Sequence, residues 1–317
     1  MTELIPFIYY ISTGLLITLP VIGVGIGQGI ANKALLEAID QQPASAPHLK
    51  RLFVLIMASL ETSVILPALM CIPLLTMYPS NIYSAFSLFG IVIALAIPGM
   101  VVGFAAALPS QAAVKAVARN PHVERSVMNI LLITLSIIQT PIIFGLIIGW
   151  FQILQVSKIE TAAHMLQILG SGIALGIGSA GPAIGIGQFA QQALRGIGRA
   201  PKAYPQLLSF TFLSQAIIET PILFALVTAI TILFVSIAPG APLLHGIVML
   251  LAGITIALPT VMIGLSSSRV AQAACKQIPE HPESYQQISR MSVLSQTIID
   301  TTVIYCLIIS FFLIFSQ

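Results

Sequence analysis

The chain has 317 residues, of which 57% are apolar and 7% charged, with a net charge of +3 and a strongly positive mean hydropathy. No soluble core of this length could hide that much apolar surface, so a soluble enzyme or binding domain is excluded and an integral membrane protein is left. Cys71, Cys275 and Cys306 have neither paired nor metal-ligand spacing and read as packing residues, and the sequence carries no phosphate loop, metal cluster or nucleic-acid patch.

Eight apolar runs follow one another near residues 6–36, 50–77, 84–118, 124–155, 164–197, 204–238, 243–276 and 285–315. Each is long enough to cross a bilayer as a helix. The N-terminal run lacks the basic flank and small-residue cleavage pattern of a removable signal, so it is expected to be retained. Within each successive pair the runs are joined by a short polar loop containing Pro43, Pro121, Pro201 or Pro282. Twelve of the thirteen Lys and Arg residues lie in or beside these four loops, and only Lys158 lies elsewhere. The positive-inside rule therefore puts the Pro loops in the cytoplasm, with both termini and the connectors near 79–83, 156–163 and 236–242 on the opposite side. Each pair reads as a transmembrane hairpin, giving units 1–78, 79–156, 157–237 and 238–317.

The first helices of the hairpins are rich in small residues. Hairpin 1 has Gly23, Gly25, Gly27 and Gly29, hairpin 2 has Gly99 and Gly103, hairpin 3 has seven glycines from Gly170 to Gly187, and hairpin 4 has Gly246, Gly253 and Gly264. Small residues let helix backbones approach closely in a membrane, which suits an inner wall. A nucleotide-binding glycine loop would need a preceding strand and polar surroundings, and neither is present. The second helices carry bulkier Ile, Leu, Val and Phe, as an outer wall facing lipid would. A hairpin with two equivalent flanks calls for neighbours on both, so the expected fold is all-α, eight transmembrane helices in four tandem hairpins that assemble into a ring.

One hydrogen-bonding residue recurs deep in each second helix, 18 positions after the loop proline: Glu61, Gln139, Glu219 and Asp300. An ionised side chain at the bilayer centre costs about 2.5–3.5 kcal/mol on insertion scales, so three acids at one repeating position mark an ion path. Gln139 cannot carry a proton as a carboxylate does and reads as a degenerate site kept for packing. A Thr follows every site residue, at Thr62, Thr140, Thr220 and Thr301, and its hydroxyl can serve the carboxyl or bond back to its own helix. Pro141 and Pro221 remove backbone donors, so the carbonyls of Ile137 and Ile217 are expected to be free, and the Ile217 carbonyl to help hold the ion or a bridging water.

These residues resemble the c subunit, or proteolipid, of rotary ATP synthases. Hairpin 1 is the closest match, with Gly23-Val24-Gly25-Ile26-Gly27-Gln28-Gly29, then Gln41-Gln42-Pro43, then Ser59-Leu60-Glu61-Thr62-Ser63. The loops Arg119-Asn120-Pro121 and Arg199-Ala200-Pro201 are similar to the family's Arg-Gln-Pro turn, and Glu280-His281-Pro282 is weaker. The common bacterial form has one hairpin per chain, so this chain resembles a fused form. The resemblance implies a non-catalytic rotor-ring subunit of an F-type or V-type-like synthase in a bacterial plasma membrane. It implies no cofactor, further copies of the chain as ring partners, a stator partner that supplies a cationic group, and central-stalk subunits docking on the Pro loops. Each carboxylate would load an ion, cross the lipid in neutral form and unload into a second half-channel.

Proton and sodium coupling remain the two alternatives for the ion. Sodium-type members pair the acid with a Gln 33 positions earlier and a hydroxyl just after it, and hairpin 1 has that set in Gln28, Glu61 and Thr62. At the same offset hairpin 3 has Ile186 and hairpin 4 has Ser267. Three sites must share one ion and only one has the full set, so protons are expected. A self-contained transporter is the rival reading, but such proteins use inverted repeats and broken helices. A ring without transport is the other rival, and three aligned acids weigh against it by the insertion cost above.

Overall fold

In the computed structural model the described residues are 3–237 and 242–316, and they are helical almost throughout. The third connector, expected near 236–242, falls largely on residues 238–241, outside the described residues. Eight stretches are long and apolar enough to cross a membrane: Leu4–Gln41, Pro43–Thr76, Ile82–Arg119, Pro121–Val156, Ala162–Arg199, Pro201–Phe234, Leu243–Gln277 and Pro282–Phe315. The helices run well past the apolar cores into the polar loops. Helices end at Gln41, Arg119, Arg199 and Gln277, and within a few residues a single 3-10 turn opens at Pro43, Pro121, Pro201 or Pro282. Proline suits that place because the first turn of a helix has no use for its missing N–H.

Hairpin 1 is built from α1 (Leu4–Gln41) and α2 (Ala46–Thr76), and hairpin 4 from α10 (Leu243–Gln277) and α11 (Tyr285–Phe315). In hairpin 2 the first arm is parted into α3 (Ile82–Ala105) and α4 (Ala107–Arg119), and the second into α5 (Glu124–Ile138) and α6 (Thr140–Val156). Hairpin 3 has α7 (Ala162–Gly176) and α8 (Ala180–Arg199) as its first arm and α9 (Tyr204–Phe234) as its second. The first arms share a helix-weakening residue at one position. Pro20, Pro98 and Pro259 stand 23 positions before their loop prolines, and hairpin 3 has Gly178 there, in the turn between α7 and α8.

The first arms pack side by side in chain order as an inner layer, α1 on α3, α3 on α7, and α10 on α7 and α8. The second arms form an outer layer in the same order, α2, then α5 and α6, then α9, then α11. The windows of highest hydropathy in the two middle inner arms are 67% and 72% buried against 39% for both end ones, so hairpins 1 and 4 each leave a flank open.

Glycine makes the inner layer possible. A Cβ on Gly27 would stand 2.2 Å from the carbonyl oxygen of Gly103, one on Gly181 1.9 Å from that of Val261, and one on Gly176 1.9 Å from that of Ile93. No real Cβ tolerates such distances, so these backbones are as near as backbones can come.

Candidate ion-binding sites on the outer arms

Each outer arm delivers its site residue to its own inner arm or to the preceding hairpin. The side-chain amide of Gln28 on α1 donates to Oε1 of Glu61 on α2 at 3.5 Å, a long contact. Glu61 is exposed. Gln139 is half-buried and donates to hairpin 1 twice, to the Ser59 carbonyl at 2.7 Å and to the Ser59 hydroxyl at 2.8 Å. Glu219 is half-buried, and the Thr140 hydroxyl of hairpin 2 is directed at its carboxyl.

Asp300 is 7% exposed, and neither carboxyl oxygen has a hydrogen-bond partner among the described residues. Ser267 on α10 is directed at this carboxyl, with its own hydroxyl equally unbonded. Gln139 and Glu219 thus meet the preceding hairpin, whereas Glu61 and Asp300 meet the inner arm of their own.

The threonines after the acids bond within their own helices. Thr62 donates to the Ala58 carbonyl at 3.1 Å, Thr220 to Ala216 at 3.0 Å and Thr301 to Ile298 at 2.7 Å. A hydroxyl has one proton, so only the oxygen lone pairs remain for an ion. Pro221 sits inside the unbroken α9 and offers no N–H to the Ile217 carbonyl. Pro141 sits at a real break, since the helix parts at Gln139 between α5 and α6.

Two partners of the site residues are absent from the sequence reading. Ser59 holds the position two before Glu61, and it faces Gln139 only because hairpins 1 and 2 pack in register. Thr140 belongs to the recurring site-plus-Thr pair, but the hairpin it serves is the next one along. The same register recurs elsewhere in the outer layer: Gln215 donates to the Thr134 hydroxyl at 2.6 Å, and Gln296 to the Ser214 hydroxyl at 3.3 Å. Nearer the loops Glu124, whose side chain is 12% exposed, contacts His48 and lies 3.8 Å from Arg51, both of hairpin 1. Among the described residues no group of His, Cys, Asp and Glu could hold a metal ion.

Fold and site together define an all-α integral membrane protein made of tandem hairpins, with one polar residue 18 positions after the loop proline in each outer arm. The family model for the ATP synthase C subunit matches residues 169–232, most of hairpin 3. The ATP synthase c subunit of Dehalococcoides mccartyi is 38% identical over 74 residues, which is 97% of that protein and 23% of this chain. The chloroplastic c subunit of Ostreococcus tauri is 38% identical over 68 residues, 83% of its length and 22% of this chain. An ATP synthase c subunit of Cereibacter sphaeroides is 42% identical over 71 residues, 86% of its length and 22% of this chain. The chain belongs to the ATP synthase C-subunit family. It is a long member, about four times the matched length, and like its family a non-catalytic, ion-translocating membrane subunit of an ATP synthase.

Proposed function

We propose that the chain forms a proton-carrying rotor ring, with Glu61, Glu219 and Asp300 as the three ion carriers of each copy. The observation that carries this reading is Asp300. A buried carboxyl without a hydrogen-bond partner is costly when ionised, so the environment favours its neutral, loaded form. A sodium ion needs several oxygen ligands, and around Asp300 only the Ser267 hydroxyl is directed at the carboxyl. Sodium has one observation in its favour, the Gln28 to Glu61 contact at 3.5 Å in hairpin 1.

The four units 1–78, 79–156, 157–237 and 238–317 are the steps of the rotor, and the last boundary adjoins residues outside those described. A ring of n copies then holds 4n hairpins and 3n carriers, because Gln139 presents a neutral amide where the others present an acid. The Ile217 carbonyl joins a site as an acceptor. Ser59, its equivalent two positions before Glu61, accepts from the site residue of the next hairpin, so in the same register Ile217 serves Asp300. Gln28, Thr62, Thr220 and Thr301 support the sites as acceptors or by holding the helix. The discharging positive charge comes from a stator partner, since among the described residues no Lys or Arg pairs with Glu61, Glu219 or Asp300. The Pro loops face the cytoplasm of a bacterial cell and dock the central stalk.

The test is proton pumping by inverted membrane vesicles that carry the complex. ATP addition acidifies the lumen equally with and without Na⁺ on the proton reading. Pumping of ²²Na⁺ with no acidification supports the sodium alternative, and neither ion moving contradicts the rotor.

A further inference from the structure

Two glutamines on the outer arms carry a buried oxygen that bonds nothing. Gln215 and Gln296 are both 0% exposed, and the side-chain Oε1 of each has no hydrogen-bond partner among the described residues. Their amide nitrogens are engaged. That of Gln215 donates to the Thr134 hydroxyl of hairpin 2 at 2.6 Å. That of Gln296 donates to the Ser214 hydroxyl of hairpin 3 at 3.3 Å, and to the Ser292 carbonyl and hydroxyl at 3.3 and 3.1 Å. With the nitrogen held, the oxygen end of each amide is fixed as an acceptor without a donor. A buried acceptor is costly to leave unmet, so two of them at equivalent positions call for a donor that arrives in only one state of the protein.

Gln215 stands four residues before Glu219, and Gln296 four before Asp300. Each pair lies inside one unbroken helix, α9 or α11, so the two side chains are neighbours on one face, a turn apart. A carboxylate only accepts, whereas a protonated carboxyl gains an O–H to give. The donor that the amide oxygen lacks is therefore one that the acid acquires on loading. The other half of the acid is served as well: the Thr140 hydroxyl is directed at the Glu219 carboxyl and the Ser267 hydroxyl at that of Asp300. Each site then offers one donor and one acceptor, the set that a neutral carboxylic acid needs. Among the described residues no Lys, Arg or His pairs with either acid, which leaves the choice between its two forms to these neutral groups. The Glu61 site is built otherwise. Met57 occupies the position four before it, and Gln28 brings it a donated N–H instead.

We propose that Gln215 and Gln296 are proton-selecting residues of the ion sites, each accepting through Oε1 the proton that loads Glu219 or Asp300. The proposal rests on the rotor reading above and adds a specificity element to two of its three carriers.

The test is residue-resolved labelling of native membranes with dicyclohexylcarbodiimide, which reacts with the protonated carboxyl. It is run across pH on the wild type, Gln215→Met, Gln296→Met and Ser214→Ala. Methionine keeps the length of the side chain and removes the acceptor. Half-labelling of Glu219 in Gln215→Met, and of Asp300 in Gln296→Met, should move to lower pH by about one unit, an about tenfold loss of preference for the protonated form. Glu61 should keep its profile in both. Ser214→Ala cuts the tie between hairpins 3 and 4 but leaves the Gln296 nitrogen on Ser292, so the Asp300 profile should stay where it is. The same shift in Ser214→Ala as in Gln296→Met would make Gln296 a structural tie and overturn the assignment. Normal labelling with no shift in either Met variant also overturns it, and gives the proton to backbone carbonyls such as that of Ile217. Na⁺ protection of Asp300 that disappears in Gln296→Met overturns it too, since the oxygen would then bind the metal ion. If neither Met variant labels Glu61 as the wild type does, the glutamines hold the fold and the assignment falls. Absence of labelling at all three acids in the wild type is a separate result, and it removes the rotor reading itself.

Discussion

Gln139 holds hairpin 2 to hairpin 1 by giving both protons of its side-chain amide to Ser59, one to the backbone carbonyl at 2.7 Å and one to the hydroxyl at 2.8 Å. A carboxylate in its place would set an oxygen against the Ser59 carbonyl, which can only accept. The amide thus acts as a permanent counterpart of a loaded, protonated acid. Gln139→Ala should lower the stability of the assembled protein by about 1–3 kcal/mol, the range for two hydrogen bonds lost in a partly buried place. Thermal or detergent denaturation measures this, and the reactivity of the three acids should be unchanged.

Glycine substitutions should split into two classes. Gly181→Ala and Gly27→Ala force Cβ atoms to 1.9 Å and 2.2 Å from carbonyl oxygens of a neighbouring helix. Overpacking of a rigid backbone contact costs about 1–3 kcal/mol or more, and these variants should unfold or separate the inner layer in a single chain. Gly25→Ala should leave a single chain as stable as the parent in the same denaturation assay.

Pro221→Ala restores an N–H to the Ile217 carbonyl inside α9. Proline in a helix interior costs about 3 kcal/mol, so the variant should raise thermal stability. It should also weaken ion retention at Asp300 if that carbonyl serves the site. Higher stability with an unchanged rate of acid labelling would remove Ile217 from the proposal.

Much of this was legible because it is local in sequence. The interval from Pro43 to Glu61, or from Pro282 to Asp300, lies along one helix, so counting residues fixes height in the membrane. The hairpins follow from the same periodicity. What remained hidden depends on which hairpin faces which. The Gln139 to Ser59 bond joins residues 80 apart, and the contact of Glu124 with His48 joins residues 76 apart; no local pattern announces either. The helix break is equally illegible, since Thr140-Pro141-Ile142 and Thr220-Pro221-Ile222 read alike, yet the helix parts only at Gln139. The difference that the structure adds is the pair of hydrogen bonds from Gln139 to the preceding hairpin.

Glu124 with His48 and Arg51 ties the loop ends of hairpins 1 and 2. Because Arg51 is 74% exposed, the Glu124→Gln variant should lose no more than about 1 kcal/mol. The loss should shrink as salt is raised, which paired denaturation curves at low and high ionic strength would reveal.

The most direct measurement of the central claim is labelling of native membranes with dicyclohexylcarbodiimide, followed by peptide mapping across pH with and without Na⁺. The rotor account predicts modification of Glu61, Glu219 and Asp300, slower at the buried Asp300 than at Glu219, and no protection by Na⁺. Absence of labelling at all three acids would contradict it, because carriers that cross lipid in neutral form must react with an apolar carbodiimide.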